Sequence, residues 1–266
     1  MIDISTIDYS ELDRREILMF LFHPRPEGHF HTSESVSELL IPVEREVRIG
    51  AHFYYAGNNS ATILFFHGNG EIAADYVDIA PLYTQMNINF LPVDYRGYGR
   101  SSGTPTITGM MRDCHVIFHY VITWLKEHSF TGPLIVMGRS LGSASALELA
   151  SHYKELFDGL IIESGFARAV PLLRLLGINT DALGIREESG FRNIDKIKNF
   201  EKPALIIHAE HDHIIPYTDG EALFNACPSS EKKMISIARA NHNTIFMYGM
   251  KEYMHAIKEF TGTIKK

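Results

Sequence analysis

Six short, almost wholly apolar runs punctuate this chain: Ala61–Phe66, Ile88–Val93, Pro133–Met137, Leu160–Ile162, Ala204–His208 and Met234–Ala238. Each is too short for a buried helix and apolar at odd and even positions alike, as in a strand covered on both faces. The stretches between them carry a helical period. Apolar residues at 114, 117, 118, 121, 122 and 125 make one helical face. Near the end, Phe246, Met250, Tyr253, Ile257 and Phe260 alternate steps of four and three. Strands alternating with helices of this length predict right-handed crossovers and a mostly parallel α/β sheet with helices on both faces.

Composition narrows the setting. At ~150 residues per domain the 266 residues allow two domains, but α/β chains of this length are often one. With 45% hydrophobic and 21% charged residues the chain is an ordinary globular protein, which excludes a disordered chain, a coiled coil or a collagen-like fibre. A net charge of −7 and a pI near 6.0 give no support to a nucleic-acid partner. The apolar run Ile17–Phe22 falls far short of the ~20 residues of a membrane span. A secretory signal needs a basic start and a small-residue cleavage site, and neither occurs. The expectation is a cytoplasmic protein without stable membrane insertion. Two cysteines, Cys114 and Cys227, cannot build a disulfide framework.

Residues 1–42 read as an N-terminal helix and loop extension packed on the main domain. Asp8 and Glu11 suit a capping box, and His23-Pro-Arg-Pro-Glu-Gly28 breaks the helix. The main domain is expected over 43–266, opening with one or two edge strands in Val43–Tyr55. Between Phe166 and Phe200 the rhythm fails: Pro171, Gly177, Gly184 and Gly190 interrupt an otherwise apolar stretch. This reads as a helical insertion lying over one edge of the sheet.

The strongest chemical signal is Gly138-Arg-Ser-Leu-Gly142, after the strand Leu134-Ile-Val-Met137 and before the helix-forming Ser143–Ala150. Alone, G-x-S-x-G is a weak pattern. Between a strand and a helix it marks a nucleophile elbow, with glycines where a side chain would clash and the serine pushed out at the helix N-terminus. A serine hydroxyl needs a base, and the base an orienting acid. In such sites the order along the chain is serine, acid, histidine. Asp212 follows the strand Ala204–His208, and His242 follows Met234–Ala238. All three therefore fall beyond the carboxyl ends of parallel strands, where open sheets bind ligands. Ser140 is the expected nucleophile, His242 the base and Asp212 the acid. Glu210 and Glu163 are alternatives for the acid. His208, His211 and His213 suggest a metal, but they lack the close paired spacing of ligands, so neither metal nor cofactor is expected.

An acyl-transfer site also needs an oxyanion hole. One donor is expected at the backbone N–H of Leu141, after the nucleophile. The other is expected at Asn69 in His67-Gly-Asn-Gly70, which directly follows the third strand.

With His67-Gly-Asn, Asp94-Tyr-Arg-Gly-Tyr-Gly-Arg-Ser-Ser-Gly103, Gly138-Arg-Ser-Leu-Gly142, His208-x-x-x-Asp212-x-x-Ile-Pro216 and Asn241-His242-Asn in this order, the chain resembles the α/β-hydrolase superfamily over roughly residues 45–262. Its His67-Gly-Asn, Asp94–Gly103 and Gly138–Gly142 segments look like those of small intracellular esterases and acyl-protein thioesterases. The resemblance implies an α/β-hydrolase fold of about eight strands with the 166–200 insertion as a lid. It implies a structural rather than catalytic role for Asp94. It also implies a small acyl ester or thioester substrate cleaved through an acyl-enzyme. Serine at 140 argues against haloalkane and epoxide hydrolysis, which use aspartate there. Leu172, Leu173 and Leu176 are candidate acyl contacts, equally readable as the buried face of a lid helix. Met247, Met250 and Met254 read as core. A ligand-binding protein without catalysis, an acyltransferase or a peptidase could be built from the same residues.

Overall fold

The computed structural model describes residues 2–28 and 36–264. Its strands are β1 (Val36–Pro42), β2 (Arg48–Tyr54), β3 (Ala61–Phe66), β4 (Ile88–Val93), β5 (Leu134–Arg139), β6 (Gly159–Glu163), β7 (Ala204–Ala209) and β8 (Lys232–Ile237). They form one eight-stranded sheet in the order β1-β2-β4-β3-β5-β6-β7-β8. The β1–β2 and β2–β4 pairs are antiparallel; the others are parallel.

The apolar runs are explained by two cores, one on each face. Along β3, Ile63 and Phe65 join one core while Leu64 and Phe66 join the other. The same alternation holds for Ile135 and Met137 against Leu134 and Val136 in β5. One face is covered by helices α3 (Ile107–Glu127), α4 (Gly142–Tyr153) and α7 (Tyr217–Ala226), the other by α2 (Ala80–Thr84) and α8 (Ile245–Thr263). Edge strands β1 and β8 are only partly buried.

Several local expectations are corrected. Where edge strands were expected over 43–55, β2 (Arg48–Tyr54) is an inner strand and the edge is β1 (Val36–Pro42), the two joined by a turn over residues 43–47. The segment 1–42 thus contributes a strand to the sheet as well as a helix against it. Asp8 does not start that helix. Its carboxylate accepts from Ser10 N at 2.8 Å, a local turn that competes with helix formation. The helix, α1, spans Arg15–Leu21. Asp13 instead serves another helix, accepting from Ile107 N at 2.6 Å at the start of α3. There its charge meets unpaired N–H groups and the positive end of the helix. From the extension, Leu12, Ile17, Leu21 and Phe22 are buried, while Met19 and Phe20 remain exposed.

The 166–200 insertion holds α5 (Ala169–Leu175) and α6 (Asn193–Ile197). Of these, α6 packs against α4 and α7, while residues of α5 lie against Ile214–Pro216 of the Asp212 loop. Of the three methionines expected in the core, only Met254 is buried; Met247 and Met250 are exposed. Cys114 and Cys227 are free and buried. Among the described residues, no helix is long and apolar enough to cross a membrane.

Candidate active site

Ser140 sits between β5 and α4 with φ of +51°, the left-handed conformation that a sharp strand-to-helix turn requires. The flanking glycines are there for space. A Cβ on Gly138 would lie 2.3 Å from the Gly142 carbonyl oxygen, and one on Gly142 would lie 2.1 Å from that of Phe66. Ser140 N donates to Glu163 O at 2.9 Å, tying the elbow to the end of β6.

His242 Nε2 lies 3.0 Å from Ser140 Oγ, and its Nδ1 lies 2.7 Å from Asp212 Oδ2. A carboxylate only accepts, so Nδ1 carries the proton and Nε2 is left to accept from the serine. The other Asp212 oxygen accepts from Ile214 N at 3.0 Å and Ile215 N at 2.8 Å. Burial disfavours the Asp212 charge, but His242 and these two N–H groups outweigh it and hold its pKa below the ordinary value. His208 braces the same loop, its Nε2–H donating to Ile215 O at 2.8 Å. Burial lowers the His208 pKa, which keeps the ring neutral behind the aspartate.

The alternative acids are otherwise engaged. Glu163 is held by Arg139 and by Tyr253 Oη, which donates at 2.7 Å, and Glu210 is exposed and accepts from Arg239 N. His208, His211 and His213 are not gathered into a ligand set: His208 is buried against Ile215, whereas His211 is exposed. The described histidines and carboxylates that do cluster are His115, Glu148 and His152. There Lys196 Nζ, 2.6 Å from Glu148, already supplies the positive charge.

The loop after β3 begins against the elbow, where a Cβ on Gly142 would lie 2.8 Å from His67 O. His67 is fully buried, its carbonyl accepting from Tyr95 Oη at 2.7 Å. Asp94 is also buried and accepts from Ala73 N at 2.8 Å, just past this loop, in keeping with a structural role. Among the described residues, neither the Asn69 nor the Leu141 backbone N–H donates to a protein acceptor.

Sequence reasoning missed the ion network beneath these loops. Arg139, the residue before the serine, donates to Glu71, to Glu163 Oε1 at 3.0 Å and to His242 O at 2.8 Å. Glu71 accepts in turn from Gly68 N and from Tyr76 Oη, both at 2.7 Å. One guanidinium therefore links the serine elbow, the histidine loop and the glycine loop. Burial raises the Glu163 pKa despite Arg139 and Tyr253. Glu71 is held low, because Arg139 and its hydrogen bonds outweigh its own burial. The signal was available: a charge at the end of an all-apolar strand has to find partners. Arg139→Met should destabilise the protein by about 3 kcal/mol, the low end for breaking a buried pair, since it strands two carboxylates. Urea unfolding measures this, and a loss under about 1 kcal/mol would show that the network is dispensable to stability.

The three candidate leucines separate. Leu173 is buried in the core and Leu176 is half-buried against it. Leu172, with Leu175, Phe166, Pro171 and Ile214–Pro216, lines a cavity of about 120 Å³ beside the Asp212 loop. Helical spacing, which turns Leu173 inward when Leu172 and Leu175 face the cavity, explains the split.

An open, mostly parallel sheet carrying a serine elbow, an acid and a histidine at its carboxyl edge defines the α/β-hydrolase fold, and solved structures agree. The esterase Pf2001 of Pyrococcus furiosus superposes with a TM-score of 0.73 at 16% identity, covering 91% of this chain and 99% of that one. Est1E of Butyrivibrio proteoclasticus, solved with ferulic acid bound, gives 0.68 at 18% identity over 84% and 97%. The profile of the serine aminopeptidase family S33 matches residues 57–180. Among curated proteins, alpha/beta hydrolase domain-containing protein 17B of Homo sapiens is 30% identical over 226 residues, 81% of this chain and 71% of that protein. An uncharacterized membrane protein of Saccharomyces cerevisiae is 31% identical over 88% of this chain and 83% of its own length. The chain belongs to the α/β-hydrolase superfamily and is a hydrolase.

Proposed function

We propose that the protein is a serine esterase or thioesterase that works through an acyl-enzyme. The observation that carries this reading is the unbroken chain of hydrogen bonds from Ser140 through His242 to Asp212. His242 Nε2 takes the hydroxyl proton as Ser140 Oγ attacks the acyl carbonyl, while Asp212 stabilises the resulting imidazolium. Charge on the tetrahedral oxygen is met by the N–H groups of Leu141 and Asn69. His242 then protonates the departing alcohol or thiol, and water enters by the same steps reversed. No metal or cofactor takes part in this scheme. The small cavity lined by Leu172 and Leu175 is the proposed seat of an apolar acyl chain. Solved neighbours described as esterases and as a monoacylglycerol lipase favour an ester over an amide.

The test is intact-mass analysis after a fluorophosphonate probe, with Ser140→Ala in parallel. A single adduct on the wild type and none on the variant is expected. No adduct on well-folded wild type would sink the reading. p-Nitrophenyl esters, acyl thioesters and aminoacyl anilides of graded length then separate esterase, thioesterase and peptidase.

A further inference from the structure

The segment after α1 lies directly on the glycine loop. His23 N donates to Asn69 Oδ1 at 2.9 Å and to Tyr98 Oη at 2.7 Å, and Tyr98 Oη donates in turn to Asn69 Oδ1 at 2.8 Å. Asn69 Nδ2 lies 2.8 Å from His23 Nδ1. Two residues on, Arg25 Nε donates to Gly70 O at 2.8 Å and the same guanidinium pairs with Asp75. The segment is itself fixed by Gly99, whose N donates to Arg25 O at 2.9 Å and whose O accepts from Glu27 N at 3.1 Å.

These contacts determine the orientation of the asparagine. A backbone N–H can only donate, so the atom facing His23 N must be the amide oxygen. The amide nitrogen then faces His23 Nδ1, which has to be the unprotonated, accepting nitrogen of a neutral ring. Gly68 and Gly70 leave the loop backbone little stiffness of its own. Its polar groups are held from outside instead: Gly68 N by Glu71, the Asn69 amide by His23 and Tyr98, Gly70 O by Arg25. The Asn69 N–H remains without a protein acceptor among the described residues.

We propose that His23 and Arg25 are positioning residues for the oxyanion hole, so that the N-terminal segment is a working part of the active site. This rests on the assignment of Asn69 N–H as an oxyanion donor in the proposed esterase. Holding the loop costs the enzyme no reorganisation when charge develops, which is the source of oxyanion-hole catalysis.

The decisive series is His23→Ala, His23→Asn and His23→Gln in the full chain. Asparagine places its side-chain oxygen where Nδ1 stood; glutamine places its own where Nε2 stood. His23→Ala and His23→Gln should lower kcat and the fluorophosphonate labelling rate about tenfold, the rate equivalent of one positioning hydrogen bond, with KM little changed. His23→Asn should return both to within about twofold of wild type. Amide exchange of the peptide covering 67–72 should accelerate in the alanine variant and recover in the asparagine variant, which reads the loop independently of any substrate. Wild-type rates in His23→Ala, no recovery in His23→Asn, or unchanged exchange would each overturn the proposal. Loss of labelling in the wild type would instead overturn the esterase reading, while the exchange comparison still decides the role of His23.

Discussion

Replacing Ser140 with alanine should lower kcat on the best ester by on the order of 10⁶, as removal of the nucleophile does in a worked serine protease. The expectation follows from how little else the hydroxyl does. Its partner is His242 Nε2, at 3.0 Å, so its removal takes away a single oxygen atom and leaves one neutral ring nitrogen without that donor. Alanine meets the same backbone demand at φ of +51° as serine does, because both carry a Cβ. The melting temperature should therefore stay near wild type while turnover vanishes. Residual activity reflects the oxyanion donors and substrate binding alone. Steady-state kinetics on a purified variant checks this, and retention of even a tenth of wild-type kcat would mean that Ser140 is not the nucleophile.

Asp212→Asn should cost on the order of 10⁴ in kcat, as the equivalent change does in a serine protease. The structure supplies the reason at atomic level. One Asp212 oxygen accepts from Ile214 N and Ile215 N, so an asparagine there must place its oxygen toward those donors. Its NH₂ then faces His242 Nδ1, which lies 2.7 Å from the other oxygen in the wild type. Nδ1 becomes an acceptor and Nε2 takes the proton, and a protonated Nε2 cannot receive one from Ser140. The substitution thus inverts the tautomer with little change in geometry, so KM should move little. A drop of less than tenfold would show that another group orients His242.

The ion network under the site explains why the residues between the motif positions matter. Arg139 reaches Glu71, Glu163 and the His242 carbonyl, so three loops arriving from distant parts of the chain are referenced to one rigid guanidinium. A planar group with five donors can do this, whereas lysine, a point charge on a flexible stem, cannot fix three directions at once.

Much of this was legible in the sequence. The doubly apolar runs identified the strands because a chain buried on both faces cannot alternate. Gly138, Ser140 and Gly142 identified the elbow because only glycine fits its flanks, and the positions of Asp212 and His242 after their strands placed them at the same edge. These features are local, set by backbone sterics and hydrophobic period within a few residues. Others depended on which segments meet. That Leu173 faces the core while Leu172 and Leu175 face a cavity depends on the rotation of one short helix. That α6 packs against both α4 and α7 depends on where two helices from other parts of the chain come to lie. Arg139, Glu71 and His23 carry no local motif, since each acquires its role from partners far along the chain. The sequence was enough to locate β3 to β8, the elbow and the order of the reactive residues; the first strand and the ion pairs beneath the site emerged only in the folded chain, because long-range pairing of polar groups leaves no period in a linear sequence.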